Sequence, residues 1–152
     1  MQIISKVYIK KLIHASVLQS DVELVAIVGE DNLSMIAEAI EEGKTQTQII
    51  EFTSGGKKSP VASLLMEMIL AAKFSHECIN IYITLSKNTP GRKPTVDQVK
   101  DEVQKQVPKS ERPKNFIALL ENTLNLVNKT VELLDPSVDS NTQETISDED
   151  AQ

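Results

Sequence analysis

The chain has 152 residues, of which 40% are apolar, with five aromatic side chains, one cysteine and a formal net charge of −6. That length suits one domain able to bury roughly 70% of its unfolded surface without a metal or a disulfide, and the lone Cys78 excludes an intrachain disulfide. With no cleavable signal pattern and no apolar run of about 18 residues, the chain reads as a soluble intracellular protein, cytoplasmic or nuclear, without a membrane partner.

From Met1 to Gln19, Ile4, Val7, Tyr8, Leu12, Ala15 and Leu18 fall on one helical face and Lys6 and Lys10 on another, which favours an N-terminal helix, although Ile3, Val7 and Ile9 would also allow a strand. Ser20-Asp21 punctuate before Val22–Val28, a nearly continuous apolar run that predicts a central strand ending at Gly29. Asp31 or Asn32 can cap the next helix, which carries Leu33, Ile36, Ala37 and Ile40 and stops at Gly43. A second strand is expected over Gln48–Phe52.

The loop Gly55-Gly56-Lys57-Lys58-Ser59-Pro60 follows, with Ser59 placed to cap a helix and Pro60 at its first position. Val61, Leu64, Leu65, Met68, Ile69 and Ala72 then keep strict helical spacing. The alternation Ile79, Ile81, Ile83, Leu85 within Cys78–Ser86 predicts a third strand. Asn88 to Pro94 is the clearest linker, and Thr95 can cap a polar helix to about Val107. After the break at Pro108 to Pro113, Ile117, Leu120, Leu124, Val127, Val131 and Leu134 mark a final helix from about Asn115. All 16 basic residues, and 16 of the 22 acids, precede Asp135. Residues 136–152 lack apolar periodicity and read as a disordered acidic tail.

These elements define an α/β fold: a small β-α-β-α-β sheet core with an N-terminal helix and two C-terminal helices. The corresponding organisation is a core domain over 1–87, a linker and helical extension over 88–135, and the tail.

Chemistry points to a ligand at one place. In Gly55, Gly56, Lys57, Lys58 and Ser59 two glycines permit close backbone approach, and two lysines stand at the positive end of a helix, which suits an anion. Arg92 and Lys93 extend this set. They belong to a stretch from Lys87 to Lys114 in which eight cations outnumber Asp97, Asp101, Glu102 and Glu111. The loop lacks the first glycine and the spacing of a nucleotide-binding P-loop, and a plain strand-to-helix turn would equally account for it. His76 and Cys78 have no second ligand pair, so no metal is expected. His14 has no nucleophilic partner identifiable by spacing, capping accounts for Asp31 beside Glu30, and no cofactor is expected. The stripe Ile117, Leu120, Leu124, Val127, Val131 packs either inside the domain or against another subunit.

The run Val22 to Lys87 resembles the Alba fold of small chromatin and RNA-binding proteins. The resemblance rests on a strand ending in Gly29 before a helix, on Gly56-Lys57 after a second strand, on Glu67 eleven residues beyond Gly56, and on the strand-like Ile81 to Lys87. It implies a β-α-β-α core, phosphate contact through the loop, and pairing into homo- or heterodimers. Glu30-Asp31 stand where that family carries basic residues, and its β-hairpin arm has no counterpart between Phe74 and Cys78, so minor-groove insertion is not expected.

The function that follows is a non-catalytic nucleic-acid-binding or nucleoprotein-complex subunit that grips RNA or DNA phosphates. The alternatives are a protein-interaction or assembly subunit that uses the last helix, and an enzyme acting on a phosphorylated small molecule.

Overall fold

The computed structural model of the protein describes residues 4–52, 62–89 and 91–134. They form helices α1 (Lys6–Ser20), α2 (Val22–Val28), α3 (Glu30–Glu41), α4 (Gln46–Phe52), α5 (Ala62–Asn88), α6 (Val96–Gln106) and α7 (Phe116–Leu134), with a 3₁₀ turn at Lys109–Glu111. No strand occurs among the described residues. The expected α/β sheet core is therefore wrong, and with it the β-α-β-α frame that carried the Alba resemblance: all three expected strands are helical.

Each replacement has a local cause. Val22–Val28 is a helix because Asp21 accepts the Leu24 N–H at its start (3.2 Å), and its buried residues Leu24, Val25 and Val28 keep helical spacing. Gln48–Phe52 lies in α4, opened by a reciprocal capping box. There Gln48 N–H donates to Thr45 Oγ1 (3.2 Å) and Thr45 N–H to Gln48 Oε1 (2.8 Å). Cys78–Ser86 is the second half of α5, a 27-residue helix about 40 Å long.

The expected helices stand: α1, α3 and α7 occupy their predicted stretches, the pattern from Leu64 to Ala72 lies in the first half of α5, and α6 opens on the Thr95–Gln98 capping box. Gly43 ends α3 at φ +83°, where Lys44 N–H reaches back to the Ala39 carbonyl (3.0 Å).

Around α5 pack α1, α3, α6 and α7, with α2 and α4 contributing smaller contacts. The direction of α7 follows from its partners. Phe74, Ser75 and Tyr82 of α5 meet Phe116, Thr123 and Asn128 in ascending order, so the two helices run parallel. α1 runs against them, since its last residue Ser20 accepts from Asn115, just before α7, and from Asn122 in the first half of α7 (both 3.0 Å). One buried cluster reaches from Ile4 to Val131 and draws on both the expected core domain and the expected helical extension. The expected tail, 136–152, lies outside the described residues.

α2 meets α3 at Gly29, held at φ +103° and ψ 141°, while the Asn32 side chain donates to the Val28 carbonyl across the break (2.8 Å). That backbone region belongs to glycine. A Cβ there would touch nothing within 4 Å, so substitution incurs backbone strain alone. Gly29→Ala should cost about 1–3 kcal/mol, seen as a lower denaturant midpoint with an unchanged slope.

Candidate binding groove

Two clefts adjoin on α5. The first, about 410 Å³, includes Ile40, Lys44, Lys73, His76, Glu77 and Glu111 in its lining. The second, about 330 Å³, includes Ser20, Asp21, Glu67, Arg112, Lys114 and Leu119. Leu70 lines both, so the two clefts meet at this side chain and together form an interrupted groove along α5. Glu67, Leu70, Ala71, Phe74 and Glu77 repeat at helical spacing along its floor, over about 15 Å.

One wall is the α6–α7 connection, and Arg112 stiffens it. Its Nε donates to the Val107 carbonyl (2.9 Å) and its Nη2 to the Gln104 carbonyl (3.0 Å), which satisfies the open carbonyl end of α6. The guanidinium stands 5.4 Å over the Phe116 ring, and Phe116 meets Phe74 edge-on at 5.9 Å. The wall is thus tied to the floor.

His76 is half-buried in the groove. Burial lowers its pKa below the ordinary 6.5, and the opposing pull of Glu77 and Glu41 does not offset this. Because the folded-state value is depressed, the neutral ring supports the fold above pH 6.5, and that contribution declines as the pH falls below it. Cys78 is buried one turn from the groove floor, and burial with Glu77 beside it pushes its thiol up to about 12, so it is inert as a nucleophile. Tyr82 is likewise raised to about 12 by burial and by Glu132, and its hydroxyl donates to Asn128 Oδ1 (2.9 Å).

Gly55, Gly56, Lys57, Lys58 and Ser59 lie outside the described residues. Lys93, placed in the same phosphate set, has its ammonium 2.7 Å from Glu132 Oε2, a contact that fastens the α5–α6 connection to α7. Arg92 is exposed. In the stripe proposed as a subunit contact, Leu120, Leu124, Val127 and Val131 are buried and Ile117 half-buried, with α7 packed on α1 and α5 of the same chain. The stripe belongs to the core. His14 lies 3.6 Å from Glu30, and no group of three or more His, Cys, Asp or Glu side chains able to hold a metal occurs among the described residues. No helix there is long and apolar enough to cross a membrane.

Sequence reasoning missed the groove. Its floor residues Leu70, Ala71 and Phe74 were no part of the apolar pattern read in this helix, and the wall at Val107 to Asn115 is far away in sequence and is tied to α5 through Phe116 and Phe74. Compared with known protein families, with curated proteins and with solved structures, the chain finds no match.

Proposed function

We propose that the chain is a non-catalytic, intracellular protein-interaction subunit that receives a short amphipathic segment of a partner protein in the α5 groove. One observation carries this reading: an apolar floor presented by Leu70 and backed by the buried Ala71 and Phe74 is bordered by both signs of charge. Asp21 and Glu67 stand with Arg112 and Lys114 in one half, and Glu77 and Glu111 with Lys44 and Lys73 in the other. A polyanion would meet four carboxylates there, whereas a mixed-charge protein segment can match both signs. The length suits about ten residues of helix or four to five extended residues.

Peptides selected from a random display library on the folded protein provide the probe. Leu70 is half-buried, so Leu70→Glu keeps its carboxylate near solvent and the fold intact. Peptides that bind the parent should lose about tenfold or more in affinity for this variant. Equal affinity for both proteins would reject the groove.

A second reading keeps nucleic acid. Lys87, Arg92, Lys109 and Lys114 are exposed, and none has a carboxylate within 4 Å among the described residues. It requires measurable RNA or DNA binding at about 50 mM salt that falls steeply as salt rises. No binding under those conditions would dismiss it.

A further inference from the structure

A second surface, which shares no lining residue with the groove, lies where α1 packs on α3. The solvent side of α1 carries Lys6, Lys10 and Lys11 and no acid along the whole helix. Beside it, the solvent side of α3 carries Glu30, Asp31 and Glu38 and no base. A basic row thus runs next to an acidic row. Between the rows only His14 and Glu30 approach within 4 Å among the described residues, and Lys6, Lys10 and Lys11 find no carboxylate there.

Apolar side chains interrupt both rows. On α1, Val7 is 55% and Tyr8 40% exposed, and on α3 Met35 is 39% exposed. A depression of about 370 Å³ separates the rows, lined by Lys10, Lys11, His14, Ser34, Ala37 and Glu38. Neither helix reaches these side chains for its own core, which α1 builds from Leu12, Ile13, Ser16 and Val17 and α3 from Leu33, Ile36, Ala37 and Ile40.

We infer that this face binds a second copy of the chain across a two-fold axis running between α1 and α3. Two adjacent parallel rows of opposite sign are self-complementary under that operation: α1 of each protomer lies on α3 of its partner, and both sets of charges are matched at once. Lysines of one copy meet Asp31 and Glu38 of the other, and Val7 and Met35 enter the shared depression. The closed two-fold leaves the α5 groove of each copy free. The face is about 22 Å long and about 20 Å wide, or roughly 400–450 Å² per partner, below the roughly 1,000 Å² total that a stable interface clears, which suits only a weak, transient dimer. The dimer is therefore concentration-dependent and weakened by salt.

Sedimentation velocity over a range of protein concentrations tests it, with circular dichroism to verify folding. At low salt the parent should shift from one-chain to two-chain mass, and its dissociation constant should rise at least about tenfold at about 0.5 M salt. Lys10→Glu with Lys11→Glu, and separately Asp31→Lys with Glu38→Lys, should each remain monomeric, because like charges now face each other. An equimolar mixture of the two variants should regain two-chain mass. If either charge variant loses helicity, Val7→Ser with Met35→Ser, both at exposed positions, should weaken association by itself. A parent of one-chain mass at every concentration overturns the inference, as does a dimer indifferent to these variants or charge variants that do not re-pair on mixing.

Discussion

Leu124→Asp should leave no folded protein. Leu124 is 1% exposed on the side of α7 that meets α1 and α5. Truncating a buried leucine costs about 2–5 kcal/mol. Placing an unpaired carboxylate in the same space adds several more, because the charge loses its water and gains no partner. The total is comparable with the whole stability of a domain this size, about 5–15 kcal/mol. Far-UV circular dichroism should show lost helicity and no cooperative melt. A folded, soluble Leu124→Asp monomer would mean instead that α7 faces outward as a subunit contact.

Phe74→Ala should produce the largest loss among substitutions that leave a folded protein, about 3–5 kcal/mol in denaturant titration. The ring is 1% exposed and holds Phe116 edge-on, which in turn lies under Arg112. Removing it opens a void in the core and detaches the support of the groove wall. Amide exchange over 107–115 should therefore accelerate by more than the global destabilisation accounts for. Acceleration spread evenly over all helices would show that the wall does not depend on Phe74.

The difference between what could and could not be read along the chain is sharpest at two identical signals. Thr95-Val96-Asp97-Gln98 and Thr45-Gln46-Thr47-Gln48 are both T-x-x-Q, and both close a capping box in the structure. Thr95 reads as a cap because a polar helix pattern follows, whereas behind Thr45 stand Ile49-Ile50-Glu51-Phe52, whose bulky side chains suggest a strand. A short apolar run cannot be assigned by period alone, and the cap was the better guide.

α5 fails differently. Ile79, Ile81, Ile83 and Leu85 alternate as a strand would, but the side chains buried there are Cys78, Ile79, Ile81, Tyr82 and Ser86, with Ile83 and Leu85 only partly covered. Because α1, α3, α6 and α7 surround this helix, apolar residues occupy most of its circumference and its helical period fades. α2 adds a third case: Val22 and Ile27 are 62% and 60% exposed, which completes an apolar run that burial alone would not have required. By contrast α3, α6 and α7 each keep one polar side, so their spacing was readable; the Thr95 cap of α6 was readable too, whereas α3 is capped by Gly29 and not by the expected Asp31 or Asn32. Of the expected phosphate set, Lys93 is held by Glu132, a partner 39 residues away that no local pattern reveals.

The groove is tested most directly by hydrogen–deuterium exchange of the protein alone and saturated with a library-selected peptide. Two separated stretches, 67–77 on α5 and 107–115 on the α6–α7 connection, should gain protection together, with smaller gains near Asp21 and Lys44, and Leu70→Glu should reduce all of them together at the same peptide concentration. Protection confined to α7, or to the α1–α3 face with 67–77 and 107–115 unchanged, would contradict the assignment of the α5 groove as the docking site.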